Sequence, residues 1–220
     1  MDTTAKIPLR HDDVKEIGLL GGTFDPVHNG HLHFARSALS VFKLEKVLFI
    51  PTNFPPHKNR PGIAPPEDRL AMLRLAISDM AGMEISLVEL GRIGRSYTVD
   101  TLRTLAPEYP GARFRLLIGA DMIEDFHLWR EAQAVLHLAR PIVAARPGTD
   151  LSADTLLRIL NPMLHTFADD FVRGLLELPP MDVSSTAIRQ AVDRGKPIED
   201  WVPASVGQYI REHGLYKTNQ

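Results

Sequence analysis

The stretch GGTFDPVHNGH, residues 21–31, follows an apolar run at residues 17–20 and leads into an amphipathic segment at about residues 30–42. This order predicts a strand, a glycine turn and the start of a helix. Two glycines after a strand let a ligand come close to the backbone and permit conformations that residues with a Cβ avoid. The unpaired N–H groups and positive dipole end of the helix attract anions. The stretch therefore predicts a phosphate-binding turn.

His28 and His31 stand three residues apart near this helix start, so they share one helical face and can reach the same bound group. Each imidazole can donate a hydrogen bond to oxygens that gain charge during phosphoryl or nucleotidyl transfer. Capping or packing histidines and a metal pair are the alternatives. The metal pair is disfavoured because Asp25 is the only obvious third ligand nearby. We predict that both histidines bind phosphate and that the protein has no metal site of its own.

Several classes of protein are excluded by motif and composition. The glycines do not have G-x-G-x-x-G spacing, and Pro197 follows the only Gly-Lys pair, which disfavours dinucleotide-binding oxidoreductases and P-loop NTPases. The 25 basic and 27 acidic residues give a formal charge of −2, so no nucleic-acid partner is expected. Cysteine is absent, which fits a reducing cytoplasm, and no apolar stretch approaches a membrane span. We expect a soluble, cytoplasmic protein with no membrane partner.

β-rich runs alternate with helical patterns, which predicts an α/β fold with a doubly wound, mostly parallel sheet. The predicted strands are residues 17–20, 47–50, 84–88, 114–118, 142–144 and 175–178. Apolar stripes predict helices at about residues 30–42, which bears Leu32, Ala35, Leu39 and Phe42, and 67–80, which bears Leu70, Leu73 and Ile77. The 220 residues fit a loose tail at residues 1–16 and a single domain at residues 17–220 with a helical C-terminal end.

Residues 51–66 form a proline-rich connection that is too irregular for a strand or a helix. Long connections of this kind usually carry function or are disordered. His57, Lys58 and Arg60 can close over an anionic ligand, although a solvated basic loop explains these residues equally well.

A second anion site is predicted at DVSSTAIR, residues 182–189, which opens a helix reaching about Arg194. Either Ser184 or Ser185 can cap this helix. A cap uses one hydroxyl of the three in the run, and it leaves Arg189 unexplained. Because Arg189 lies on the same helical face as Ser185, an anion site is the favoured interpretation.

Two further segments suggest contacts with a base or ring. LLIGAD, residues 116–121, predicts a buried strand whose carboxyl end brings Gly119 and Asp121 to the ligand edge of a parallel sheet, although Asp121 can instead cap a helix. Trp129 can stack on a flat heteroaromatic ring or simply pack against the core. Thr98 is either an N-cap or a ligand donor.

Together these motifs closely resemble the bacterial nicotinate-nucleotide adenylyltransferases, within the nucleotidyltransferases that share the His-x-Gly-His element. The resemblance covers residues 17–216, nearly the whole chain, and its segments stand in family order. They are GGTFDPVHNGHL at 21–32, PPHK at 55–58, RSYTVDTL at 95–102, LIGAD at 117–121 with Trp129, ARPG at 145–148, VSSTAIR at 183–189 and VGQYIREHGLY at 206–216.

The resemblance implies a Rossmann-like nucleotidyltransferase fold. It also implies transfer of the AMP moiety of ATP to nicotinate mononucleotide, which yields nicotinate adenine dinucleotide and pyrophosphate in NAD biosynthesis. Mg²⁺ carried by ATP and direct in-line attack without a covalent intermediate are expected. Two alternatives stay open: nicotinamide mononucleotide or phosphopantetheine as the acceptor, and a nucleotide-binding sensor without turnover.

The resemblance also implies a role for each matching residue. The residues that would bind ATP are Gly22, Thr23, Phe24, His28, His31, Gly119, Asp121, Ser185, Thr186 and Arg189. The first three would act through backbone amides, and both histidines and Arg189 would be catalytic. Thr98 and Trp129 would place the nicotinate ring, while Lys58 and Arg146 would contact a phosphate or carboxylate.

Overall fold

The computed structural model describes residues 15–53, 63–92 and 94–217. Within these ranges, six parallel strands form one sheet in the order β3-β2-β1-β4-β5-β6. The strands are β1 (Glu16–Gly22), β2 (Lys46–Pro51), β3 (Met83–Ile85), β4 (Arg113–Gly119), β5 (Ala139–Ala145) and β6 (Leu175–Glu177). The helices are α1 (Asn29–Val41), α2 (Pro66–Ile77), α3 (Thr98–Leu105), α4 (Ala132–Leu138), α5 (Ala153–Ile159), α6 (Ala168–Arg173), α7 (Ser185–Asp193) and α8 (Ala204–Glu212). The predicted doubly wound parallel sheet with a helical C-terminal end is confirmed.

Helices cover both faces of the sheet, which is why its strands are apolar on both sides. Leu19 belongs to the core that the sheet forms with α3 to α6. Its neighbour Leu20 points the other way, into the core formed with α1, α2, α7 and α8. No helix in the described ranges is long and apolar enough to cross a membrane.

The strand order places the ligand site. From β1 the chain builds the sheet in one direction through β2 and β3, and from β4 it builds in the opposite direction through β5 and β6. In such sheets a crevice opens beyond the carboxyl ends of the two strands where the direction changes. Here those ends are Gly22 of β1 and Gly119 of β4.

All six described strands differ from their predicted bounds at one end or both, and two of these differences have a clear structural reason. β3 ends at Ile85 rather than residue 88, because the following backbone turns and Gly91 N–H bonds to the Leu87 carbonyl. Leu87 is 47% exposed, so the apolar run did not mark a buried strand there. β1 begins at Glu16, whose partner in the sheet is Arg113, so the predicted tail includes the start of the sheet. Residues 1–14 of that tail lie outside the described ranges.

The buried face of α2 also differs from the predicted stripe. Met72, Ala76 and the predicted Leu73 and Ile77 are buried, whereas Leu70 is only partly buried. The helix ends at Ile77, three residues before the predicted end. The same face contains a fully buried Arg69, which no apolar stripe predicts.

Candidate active site

The two glycines of the phosphate turn lie in extended backbone, so the prediction that they adopt conformations barred to other residues is wrong. Gly21 and Gly22 continue β1, and neither adopts a positive φ. The left-handed residue of the turn is Phe24, with φ of 50°. A Cβ on Gly22 would stand 3.1 Å from the Phe24 ring, whereas a Cβ on Gly21 would meet nothing within 4 Å. Gly22 therefore makes room for a side chain, and Gly21 leaves open space at the end of β1.

The buried Phe24 ring packs against His31. The ring is 1% exposed and packs edge to face on His31, with 5.1 Å between ring centroids. A non-glycine residue in the left-handed region costs about 1–2 kcal/mol, and burial of this ring offsets that cost. Only the backbone of Phe24, as the family resemblance implies, remains available to a phosphate.

His28 and His31 stack on each other at the start of α1. Their ring centroids lie 3.7 Å apart, and the rings are inclined by 23°. His28 is the N-cap residue, and its backbone N–H donates to His31 Nδ1 at 3.3 Å. Because Nδ1 accepts, the proton of a neutral His31 sits on Nε2. Gly30 leaves space for this arrangement, since a Cβ there would be 3.1 Å from His28 Nδ1.

Both histidines are neutral near pH 7. Burial lowers the pKa of His28 from 6.5 to about 4. Burial also lowers the pKa of His31, and the neighbouring His28 charge lowers it further. Each ring therefore has one N–H to donate. His28 Nδ1 is buried and has no hydrogen-bond partner among the described residues.

The low pKa of His28 makes stability depend on pH in a defined direction. Unfolded His28 takes up a proton below about pH 6.5, whereas the folded chain resists protonation down to about pH 4, so stability falls as pH falls through this window. At about pH 5 the loss is about 2 kcal/mol. Between about pH 7.5 and pH 5, the free energy of unfolding, measured with urea, should fall by about 2 kcal/mol less in His28→Asn than in the unmodified protein. Asparagine is chosen because it retains a side chain suited to the N-cap position.

The exposed His137 provides the control for this experiment. His137→Gln should show the same pH dependence as the unmodified protein. Equal pH dependence for His28→Asn and the unmodified protein would contradict the assignment of the low pKa to His28.

The start of α7 docks on the phosphate turn and so brings the two predicted anion sites together. Ser184 is the N-cap, and its hydroxyl accepts from Ala187 N–H at 3.1 Å. The Ser185 hydroxyl donates to the Pro26 carbonyl at 2.9 Å. The third hydroxyl of the run, that of Thr186, accepts from Arg189, so all three have structural partners.

Arg189 links α7 to the same turn. Its Nη1 donates to the main-chain carbonyl of Asp25 at 2.7 Å, and its Nη2 donates to the Thr186 hydroxyl at 3.3 Å. The guanidinium is thus fixed beside the turn that carries the histidines, with further N–H donors for a ligand.

Sequence reasoning did not find Arg69. Its side chain is 1% exposed, and its guanidinium donates to four main-chain carbonyls. These belong to Thr23 at 2.7 Å, Thr52 at 2.8 Å, Ala64 at 3.1 Å and Asn53 at 3.3 Å. Arg69 therefore joins the phosphate turn to the residues that flank segment 54–62. The available signal was a charged residue three and four positions before Met72 and Leu73, on the buried face of α2.

Gly119 is the last residue of β4, and Asp121 lies close to it in the segment that follows. Gly119 is the N-cap of a short 3-10 helix, Ala120–Met122, so the alternative that Asp121 caps this helix is wrong. A Cβ at residue 119 would collide with Asp121 Oδ1, the end of an exposed side chain that is able to move aside. The Asp121 side chain is exposed at the ligand edge of the sheet.

The segments predicted to place the ring also approach each other. Tyr97 is the N-cap of α3, so Thr98 is its first helical residue and not the cap. Trp129 stacks on Phe126 with 4.6 Å between ring centroids, so packing accounts for one face of the indole. The Arg130 guanidinium lies over the Tyr97 ring at 4.8 Å and connects the two segments.

Of the two remaining predicted residues, Arg146 and Lys58, the structure describes only Arg146. Arg146 is exposed and follows β5 directly, at the same edge of the sheet as Gly119. Lys58 lies outside the described residues, as do His57 and Arg60. In the described ranges, no group of three or more His, Asp or Glu side chains could hold a metal ion.

Comparison with known proteins identifies the family. Residues 19–191 match the cytidylyltransferase-like family. A probable nicotinate-nucleotide adenylyltransferase of Desulfitobacterium hafniense is 43% identical over 92% of this chain and 96% of that protein. One of Halalkalibacterium halodurans is 42% identical over 94% of each chain.

A solved structure has the same fold. Nicotinic acid mononucleotide adenylyltransferase of Plasmodium falciparum, complexed with NaAD, aligns with a TM-score of 0.73 over 93% of this chain and 98% of that chain. At 18% identity, this likeness concerns the fold. The sequence matches carry the assignment further: the chain belongs to the cytidylyltransferase-like family and, within it, to the nicotinate-nucleotide adenylyltransferases.

Proposed function

We propose that the protein transfers the adenylyl group of ATP to nicotinate mononucleotide, forming nicotinate adenine dinucleotide and pyrophosphate. The observation that carries the proposal is the stacked pair of His28 and His31, which shares the phosphate turn with Arg189 of α7. Two N–H-rich helix starts beside one turn form a site for a polyphosphate. The homologous enzymes bear the name of this reaction.

The reaction proceeds by direct displacement. A phosphate oxygen of nicotinate mononucleotide forms a bond to the α-phosphorus of ATP, and the bond from that phosphorus to the pyrophosphate oxygen breaks. The Ser184 and Ser185 hydroxyls are engaged by Ala187 N–H and the Pro26 carbonyl, so neither is paired with a general base as a nucleophile would be. The protein contributes positioning and charge stabilisation.

Each group of site residues contacts a different part of the substrates. His28 and His31 donate N–H groups to phosphate oxygens that become more negative as the bond to pyrophosphate breaks. Arg189, with Thr186 and the Ser185 backbone, holds the triphosphate from α7. Backbone amides of Gly22, Thr23 and Phe24 complete the phosphate contacts on the turn. Gly119 and Asp121 hold the adenosine.

Mg²⁺ enters as part of the ATP substrate and neutralises phosphate charge. The neutral histidines and the cationic Arg189 fit a metal-bearing triphosphate, because they supply donors and not competing carboxylates. Asp25 is not available as a metal ligand, since it already interacts with Ala64, Tyr216 and Arg189.

Thr98 and Trp129 place the nicotinate ring, and Lys58 and Arg146 contact a phosphate or the ring carboxylate. The face of the Trp129 indole opposite Phe126 stacks on the nicotinate ring, and Phe126 packs on the other face. Residues 17–220 act as one catalytic domain. The absence of cysteine fits work in the reducing cytoplasm.

The test is pyrophosphate release with ATP and Mg²⁺, with nicotinate mononucleotide, nicotinamide mononucleotide and phosphopantetheine compared in parallel. We expect kcat/KM for the nicotinate substrate to exceed that for the nicotinamide substrate by about 100-fold or more, since a site that pairs a charged group rejects analogues that lack it. Preference for another acceptor would overturn the Thr98 and Trp129 assignment. Nucleotide binding without turnover of any acceptor would instead indicate a sensor.

A further inference from the structure

Asp25 is a buried carboxylate in the middle of the phosphate turn. Its side chain is part of a residue that is 2% exposed. Oδ1 accepts from Tyr216 O–H at 2.9 Å and from Ala64 N–H at 3.0 Å. Oδ2 has no hydrogen bond among the described residues and lies 3.4 Å from Arg189 Nη1. A buried charge is costly unless it is compensated, so these contacts hold the surrounding segments in place.

Asp25 joins parts of the chain that are distant in sequence. Ala64 follows segment 54–62, Arg189 belongs to α7, and Tyr216 stands beyond α8, 191 residues from Asp25. Burial and the Asp25 charge raise the pKa of the Tyr216 hydroxyl. The hydroxyl therefore remains protonated and donates at any ordinary working pH.

The two carboxylate oxygens of Asp25 interact with different partners. Tyr216 and Ala64 satisfy Oδ1, which fixes the plane of the carboxylate. Oδ2 then attracts Arg189 by charge, while the Arg189 Nη1 hydrogen bond goes to the Asp25 main-chain carbonyl at 2.7 Å. The guanidinium is held in one orientation and keeps donors free for a ligand.

We infer that Asp25 and Tyr216 are positioning residues, which hold the Arg189 guanidinium in the orientation that receives the triphosphate of ATP. The inference rests on the proposed function to the extent that Arg189 is taken to bind ATP. It adds that the carboxylate acts through Arg189 and that the hydroxyl acts through the carboxylate.

The direction of the change in ATP affinity on Asp25→Asn distinguishes a positioning role from a direct electrostatic effect of the carboxylate on ATP. Removing a negative charge near a triphosphate should by itself strengthen ATP binding. Loss of the correctly placed Arg189 should weaken it. For Asp25→Asn we expect the Kd for ATP with Mg²⁺ to rise about tenfold, and for Tyr216→Phe about threefold, on the scale of one lost charge-assisted or neutral hydrogen bond.

The experiment is calorimetric titration of each variant with ATP and Mg²⁺, alongside steady-state kinetics. The KM for ATP should follow Kd, while the KM for nicotinate mononucleotide should change less than about twofold. In an Arg189→Met background, Asp25→Asn should have no further effect on ATP affinity. Tyr209→Phe is the matched control, because that hydroxyl donates to Asp68 at 2.8 Å and joins α8 to α2.

Three results would overturn the inference. The first is unchanged or tighter ATP binding by Asp25→Asn, and the second is a loss of ATP affinity on Asp25→Asn that persists in the Arg189→Met background. The third is a loss of ATP affinity in Tyr209→Phe as large as that in Tyr216→Phe. If Asp25→Asn does not fold, Tyr216→Phe with its Tyr209→Phe control decides the question alone. Should the unmodified protein bind ATP but transfer nothing to nicotinate mononucleotide, the proposed function fails. The comparison of ATP affinities would still decide the role of Asp25.

Discussion

Replacing His31 by alanine is expected to lower kcat/KM by about 100- to 1,000-fold, with most of the loss in kcat. Removal of one preorganised donor to a developing oxyanion has an effect of this size. In the proposed reaction the Nε2–H of His31 acts as such a donor, because its Nδ1 is engaged by His28 N–H and its ring packs against Phe24 and His28. Pyrophosphate release under saturating ATP measures the change.

His33→Ala is the matched control for this prediction. His33 lies two residues further along α1 and is likewise partly buried, but it belongs to another face of the helix. We expect it to retain at least about half of the activity, because residue 33 lies on a different helical face from His31. A loss of less than about fivefold in His31→Ala, with the fold intact by thermal unfolding, would remove His31 from the catalytic group.

Replacing Arg69 by methionine is expected to lower the free energy of unfolding by about 3–5 kcal/mol. Methionine fills much of the space of the arginine but donates no hydrogen bond. The carbonyls of Thr23, Thr52, Asn53 and Ala64 would lose their guanidinium partner in a buried site. Urea unfolding near pH 7.5 measures this loss.

Arg74→Met tests whether the loss of stability in Arg69→Met comes from the buried position of Arg69 or from replacing any arginine of α2 by methionine. Arg74 is exposed on the same helix, and its replacement should change stability by less than about 0.5 kcal/mol. A loss under about 1 kcal/mol for Arg69→Met would mean that water or a repacked side chain satisfies the four carbonyls.

The sheet was largely predictable because parallel strands buried on both faces leave continuous apolar runs. Residues 17–20 and 47–50 lie within β1 and β2. The edge strand β3 was placed too far along the chain, since Leu87 is apolar but exposed. At a sheet edge, an apolar residue does not have to pair with a neighbouring strand, and the sequence pattern alone does not show whether it does.

The site was predictable where ligand chemistry leaves a local pattern. The spacing of His28 and His31 indicated a shared face, and the rings do stack. Arg69 and Tyr216 were not found, because their partners are main-chain carbonyls or a carboxylate far away in sequence. Gly21 and Gly22 were expected to adopt conformations barred to other residues, but neither has a positive φ. Gly22 also gives space to the Phe24 ring, a contact that no spacing rule describes.

The bond between Tyr216 and Asp25 also has a consequence for how the protein is made. A chain emerging from the ribosome presents Asp25 early and Tyr216 191 residues later. All six strands precede Tyr216, so the sheet can assemble while the Asp25 carboxylate still lacks this donor. A nascent chain that stalls after β6 but before Tyr216 therefore has every strand of the described sheet and still lacks the hydroxyl that donates to Asp25 Oδ1 in the phosphate turn.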